Sequence, residues 1–80
     1  MKQNRITINA DTSELYNIRE AVKAFIGRGL PRQETSKIVL ALDEALANIV
    51  IHGYKRDSSG LITIEMESDR SEFRFIISDN

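Results

Sequence analysis

The sequence contains no cysteine. Without thiols the chain can form neither a disulfide framework nor a thiolate metal site. This absence leaves the redox compartment open and is compatible with a cytoplasmic protein, which is our expectation.

An excess of charge of either sign is also missing. Eleven basic and twelve acidic residues give a formal net charge of −1, so neither nucleic acid nor an anionic membrane is expected as a partner. No apolar run approaches the roughly 18 residues of a membrane span, and the N-terminal segment MKQNRITIN lacks the apolar centre of a signal peptide.

Breaks in regular structure are few, because the chain has one proline and four glycines. All of them stand where connections between elements are expected. At 80 residues the chain can form at most one small domain, which buries roughly 60 to 65% of its extended surface on folding. The sequence therefore predicts a single domain with a thin core.

The first part of the chain predicts a strand followed by a helix. Ile6 and Ile8 alternate with polar residues across 5–9, as in a half-buried strand. Asp11 or Thr12 can cap a helix. Apolar residues at helical spacing then continue to a pair of glycines typical of a helix C-terminus, so we expect this helix at 13–28.

A second helix follows the only proline. It is expected to begin between Arg32 and Thr35 and to reach His52 or Tyr54. After a polar loop at 55–60, alternating residues predict a strand at 61–67. A turn at 68–71 and a second strand from Phe73 complete a hairpin. This order predicts an α+β fold with two helices packed on one face of a mainly antiparallel sheet.

The second helix has an unusual polar side. Helical projection gathers Glu44, Asn48 and, at the margin, His52 on one side, with Leu40 and Ile51 between them. Such a helix is expected to line a partly apolar cleft there. Its other face should pack on the core and consists of Ile38, Leu42, Ala45, Leu46, Ile49 and Val50, flanked by Val39 and Gly53.

Glu44 and Asn48 lie one turn apart, so their side-chain oxygens can meet one ligand. Such oxygens suit Mg²⁺, which takes further ligands from water and substrate phosphates, while a carboxylate away from the metal can act as a general base. The spacing also fits an ordinary polar pair on an exposed helix. His52 adds no third strong ligand for zinc; it could cap the helix, contact phosphate or simply lie on the surface.

Counting by twos places Asp79 on the same side of its strand as Phe75 and Ile77, which directs a carboxylate toward the helix layer. An aspartate at a strand end is also ordinary turn chemistry, so both interpretations remain on the pattern alone. Catalytic triads and glycine-rich phosphate loops are absent from the sequence.

The segment 40–54, LALDEALANIVIHGY, resembles the N box of the GHKL (Bergerat-fold) ATPases. It is most similar to the form found in bacterial anti-sigma factors with serine kinase activity, E-A-x-x-N-x-x-x-H-[AG]-Y. A polar loop, Gly60 and a hairpin ending in Asp79 follow in the family's order, so the resemblance covers essentially the whole chain. It implies ATP and Mg²⁺ as ligands of the complete domain.

The resemblance also implies a role for each matching residue. Asn48 matches the residue that coordinates the Mg²⁺ bridging the ATP phosphates, and Glu44 matches the acidic residue that acts as base or orients the nucleophile. Asp79 matches the aspartate of the family's D-x-G-x-G motif, which accepts from the adenine amino group. His52 and Tyr54 also match family positions, and His52 is counted among the expected cofactor-binding residues without a defined role.

The chain departs from the family where D-x-G-x-G should continue. Only Asp79 and Asn80 are present, and the motif's glycines, the ATP lid and the second glycine-rich phosphate segment are missing. We therefore expect residues 1–80 to be the N-terminal portion of one histidine-kinase-like ATPase domain, an incomplete Bergerat-type sandwich. Alone, such a chain should bind ATP weakly or not at all and catalyse little.

The function that the resemblance implies is that of an ATP-dependent anti-sigma factor, a serine kinase that binds a sigma factor and phosphorylates its antagonist. One alternative keeps the fold without catalysis, as a regulatory protein-binding module. Another is the ATPase part of a two-component histidine kinase, which Ile51 disfavours because those N boxes commonly carry a basic residue there. The predicted hairpin is followed by no further element in this sequence, so we expect an uncovered apolar edge of the sheet. Such an edge predicts a homodimer or domain-swapped oligomer.

Overall fold

A computed structural model of the chain describes residues 2–53, 60–70 and 72–79. The strands are β1 (Lys2–Asn9), β2 (Leu61–Ser68) and β3 (Phe73–Asp79), and the helices are α1 (Leu15–Ile26) and α2 (Arg32–Asn48). This order and the antiparallel sheet confirm the predicted α+β fold. Apart from Gly60, the predicted polar loop at 55–60 lies outside the described residues.

The sheet has β2 at its centre, paired antiparallel with both β1 and β3. Ile64 pairs with Ile6 on one side and with Ile77 on the other. Alternate residues of the three strands therefore share one face, and on β2 that face is fully buried, with Ile62, Ile64 and Met66 each 0% exposed. The alternation read from the sequence is confirmed, although β1 begins three residues earlier than predicted.

The opposite face of the sheet carries charged side chains. Arg5 of β1 pairs with Glu65 of β2 at 3.3 Å, and Arg74 of β3 reaches Glu67 at 3.4 Å. Exposed ion pairs of this kind contribute only about 0.2–1 kcal/mol each. Their larger effect is on register, because a slip of one residue would turn these charges toward the core.

The first helix is entered through a 3-10 turn at Thr12–Glu14. The Asp11 side chain accepts a backbone N–H of this turn at 3.0 Å, as expected of a capping residue. The α-helix proper is shorter than the predicted 13–28. It ends at Ile26 because Gly27 adopts φ 55°, a conformation that L side chains rarely take.

The C-terminal end of α1 is attached to both outer strands through Phe25. Its ring meets Phe73 and Phe75 of β3 edge-on, with ring centroids 6.3 Å apart in each pair. Lys2 of β1 donates to the Phe25 carbonyl at 2.5 Å, and its ammonium group lies 4.7 Å from the centre of that ring. A cation at a helix C-terminus satisfies a carbonyl that the helix itself leaves unpaired.

The core stripe of α2 is centred differently from the prediction. Leu46 and Val50 are buried as expected, but Val39, predicted only to flank the stripe, is buried with them, while Ile38 and Leu42 are only partly buried. This difference comes from tertiary packing, which the sequence pattern of one helix does not show. The helix packs against α1 as well as against the sheet, which rotates its buried stripe toward α1.

The α-helical part of α2 ends at Asn48, earlier than the predicted His52 or Tyr54. A π-helical turn, Ile49–Gly53, follows directly. The three β-branched residues at 49–51 and the glycine at 53 lower the helix propensity of this segment. Tyr54 lies outside the described residues. No helix in the described part of the chain combines the length and hydrophobicity needed to cross a membrane.

Replacing Gly27 by alanine should lower the free energy of unfolding by about 1–3 kcal/mol, the cost of holding a side chain in a sparsely populated backbone region. Gly27 has φ 55° and ψ −122°, and the added Cβ would gain little, since its nearest neighbour is the Ala24 carbonyl oxygen at 3.7 Å. Chemical denaturation measures the change. The exposed neighbour Arg28 provides the control, since Arg28→Ala should stay within about 0.5 kcal/mol; equal effects of the two variants would contradict the assignment.

Candidate functional site

The outward side of α2 presents two of the predicted site residues together. Glu44 and Asn48 are both exposed, whereas Leu46, between them in sequence, is 1% exposed. The spacing of four residues puts the two polar side chains on adjacent turns of one face. The structure thus brings the carboxylate and the amide to the surface that faces away from the core.

The donor chemistry of this pair fits a magnesium ion better than a transition metal. Both side chains offer oxygen, the ligand that Mg²⁺ prefers, and Mg²⁺ is usually held by one or two protein oxygens plus water and phosphate. Among the described residues, no group of three or more His, Cys, Asp or Glu is arranged to hold a metal ion by itself. A cation at Asn48 would take its remaining ligands from water or from a bound molecule.

Directly after Asn48 the helix changes from α to π geometry. The π turn covers Ile49–Gly53 and includes the backbone of His52. Single π turns are rare and occur frequently at functional sites. The pattern of apolar spacing did not predict this change, although the β-branched run and Gly53 were visible signals of weak helix propensity.

Asp79 lies at the same end of the domain as the end of α2. In the first turns of α2, Glu34 and Ile38 line a cavity together with Phe73 at the start of β3. The 17 residues of α2 extend about 25 Å, and the seven residues of β3 extend roughly 23 Å. The two elements run in the same direction, because Asp43 late in α2 pairs with Arg19 early in α1, whereas Phe25 at the end of α1 contacts the start of β3. Asn48 and Asp79 therefore both lie at the end opposite to that cavity.

The register places Asp79 as the sequence pattern predicted. Its Cα pairs with that of Ile62, and two residues earlier Ile77 pairs with Ile64. Ile62 and Ile64 are both fully buried beneath the helices. By register position, Asp79 thus belongs to the row of β3 residues on the helix-covered face.

A groove between the two helices is a feature that the sequence did not predict. It has a volume of about 750 Å³ and includes Val39, Leu40 and Asp43 of α2 in its lining. Arg19 of α1 donates to Asp43 at 2.8 Å across the groove. Leu40, expected to line a cleft beside Glu44, is 59% exposed and belongs to this groove. Only the packing of α1 on α2 creates it, which is why helical periodicity alone did not show it.

Comparison with known proteins gives a family match over most of the chain. The sequence model of the histidine kinase-like ATPase domain family matches residues 8–80 of this chain. The anti-sigma F factor of Clostridium botulinum (strain Alaska E43 / Type E3) is 36% identical over 80 residues, which are 99% of this chain and 55% of that protein.

Two further relatives carry the same description. The anti-sigma F factor of Clostridium perfringens (strain SM101 / Type A) is 36% identical over 63 residues, covering 78% of this chain and 45% of the relative. That of Shouchella clausii (strain KSM-K16) is 37% identical over 62 residues, covering 76% of this chain and 42% of the relative. The chain thus spans about half the length of the curated relatives it matches.

The exposed pair should be dispensable for folding. We expect Glu44→Ala and Asn48→Ala each to change the free energy of unfolding by less than about 0.5 kcal/mol, because neither side chain is buried. Leu46→Ala, between them on the buried side, should cost about 2–5 kcal/mol through the lost packing. Denaturant titration of the three variants measures the contrast, and a large loss in either polar variant would assign that residue to the fold instead of to a site.

Proposed function

Because this chain belongs to the histidine kinase-like ATPase domain family, we propose that it forms the ATP-binding part of an anti-sigma factor with protein serine kinase activity. In this proposal the whole protein binds a sigma factor and phosphorylates a serine of the sigma factor's antagonist. Support comes from the family, which implies ATP binding, and from the similarity to anti-sigma F factors along nearly the full chain.

The observation that carries the proposal is the outward side of α2. Glu44 and Asn48 share an exposed face of a helix whose opposite side is anchored by the buried Leu46 and Val50. A rigidly held helix can present its polar groups to a ligand with little reorganisation. The family match supports an adenine nucleotide as that ligand.

Asn48 is the proposed metal-binding residue. Its side-chain carbonyl would hold Mg²⁺, and its place at the last α-helical position of α2 leaves that oxygen free of the core. The metal, when bound, supplies positive charge that stabilises the charge developing on the phosphates.

Glu44 is the proposed general base. Its carboxylate would accept the proton of the substrate serine hydroxyl as the serine oxygen bonds to the γ-phosphorus and the bond to the β-phosphate oxygen breaks. Its exposure on α2 leaves room for a protein substrate to approach. The α-helical spacing of four residues keeps this base one turn away from Asn48.

Asp79 is proposed to read the adenine base by accepting a hydrogen bond from its amino group. The position at the end of β3, in register with Ile62, lies at the same end of the domain as Asn48. His52, in the π turn after Asn48, is proposed as a further cofactor-binding residue near the phosphates.

Substitution of Glu44 separates binding from chemistry. In the full-length protein, Glu44→Gln should keep its affinity for Mg-ATP but lower the rate of phosphate transfer to the antagonist by about 10²- to 10⁴-fold, the usual contribution of a positioned base. Transfer of labelled phosphate and calorimetric titration of ATP measure the two quantities. Unchanged transfer would remove Glu44 from the role of base.

Substitution of Asn48 should instead affect nucleotide binding. Asn48→Ala is expected to weaken ATP binding about tenfold or more in the presence of Mg²⁺, because a metal ligand is lost. In the presence of a chelator the variant and the wild type should bind alike. A loss of equal size with and without Mg²⁺ would contradict the assignment of Asn48 to the metal.

Asp79 should determine the preference for adenine. Inosine triphosphate lacks the amino group that Asp79 is proposed to bind, so the wild type should bind ATP about tenfold or more tightly than this analogue, as expected for a hydrogen bond to a charged group. In Asp79→Asn the preference should shrink, because the neutral amide accepts more weakly from the adenine amino group and no longer repels the carbonyl oxygen that inosine carries in its place. An undiminished preference would show that another group reads the base.

A further inference from the structure

We propose that the groove between α1 and α2 is a docking site for an acidic segment of the protein partner, with an aliphatic side chain of that segment seated against Leu40. The proposal rests on the proposed function, in which the partner is a sigma factor. It concerns a surface separate from the pair Glu44 and Asn48, and neither of these residues is included in the groove lining.

The charge of the groove selects an acidic occupant. Four basic side chains, from Arg19, Lys23, Arg28 and Arg32, line it together with the single carboxylate of Asp43. The chain as a whole has a formal net charge of −1, whereas this groove carries four cations against one carboxylate. A local field of this kind attracts negatively charged segments and raises their association rate.

Two of these cations are not neutralised within the described part of the molecule. Arg19 pairs with Asp43 at 2.8 Å, and Lys23 pairs with Glu20 at 3.2 Å. Arg28 and Arg32, both exposed, form no ion pair with another described residue. They can therefore bind carboxylates of a partner without first breaking an internal ion pair.

The groove also has an apolar part. Leu40 is 59% exposed, among the most exposed of the large apolar side chains, and it lies beside the buried Val39 and the half-buried Leu30. An exposed leucine next to arginines offers both burial energy and charge-assisted hydrogen bonds to a partner. A free phosphate or another small anion would leave Leu40 exposed, which favours a protein segment.

The walls of the groove are fixed before any partner arrives. The ion pair between Arg19 and Asp43 joins α1 to α2, and the buried faces of both helices pack in the same core. A preformed groove binds with a smaller loss of conformational entropy than one that must assemble. Arg19 and Asp43 thus act in this proposal as structural supports, and Arg28, Arg32 and Leu40 as the groups that contact the partner.

The test compares two double variants that lose the same charge. Purified full-length protein is titrated against each purified sigma factor of its own organism, with binding followed by calorimetry. Arg28→Gln with Arg32→Gln should weaken the complex about tenfold or more at low salt and flatten its salt dependence, as expected when interfacial charges are removed. Leu40→Ser should weaken it also at high salt, where only the apolar contact remains.

The matched control removes two arginines from the opposite face of the sheet. Arg5→Gln with Arg74→Gln should leave the affinity unchanged, and thermal unfolding of every variant confirms that the fold is kept. Equal weakening by the two double variants, or none by either, would overturn the groove while sigma binding itself persists. If no sigma factor binds the wild type, the proposed function fails, and the docking proposal that depends on it falls with it.

Discussion

Burial of one face of β2 is the constraint on which the rest of this small domain depends. Ile62, Ile64 and Met66 are completely covered, and residues of both helices pack in the core over this face of the sheet. Each helix then needs just one apolar stripe. The outward side of α2 is thereby released from any packing role, and that is where Glu44 and Asn48 stand.

The domain separates its stabilising contacts from its accessible polar groups. The core consists of aliphatic residues with Phe25 at one end, and no polar or charged side chain is buried among the described residues. The polar groups of interest lie on surfaces of α2 that the core holds in place. A helix of this kind has separate surfaces for the two proposed partners, the nucleotide at its C-terminal end and the protein segment along the side that faces α1.

The fold class could be predicted because alternation and helical spacing are local patterns. The register that pairs Ile64 with both Ile6 and Ile77 comes from the structure. The side of β3 to which Asp79 belongs could likewise be predicted by counting alternate residues along that strand. The rotation of the buried α2 stripe toward Val39 could not be predicted from the sequence, since it depends on how α1 and α2 pack. The π turn after Asn48 and the groove around Leu40 are likewise products of tertiary contacts, which a helical projection treats as absent.

The attachment of Lys2, Phe73 and Phe75 to the one aromatic ring of Phe25 sets the order in which this chain can fold during synthesis. The surroundings of that ring are supplied by residues from both ends of the sequence, and β1 can pair only with a strand made some sixty residues later. Contacts so distant in sequence form late, because the intervening chain must first be closed into a loop. On the ribosome, therefore, β1 stays without its strand partner until the hairpin has emerged, and that interval is when the nascent chain is most exposed to aggregation.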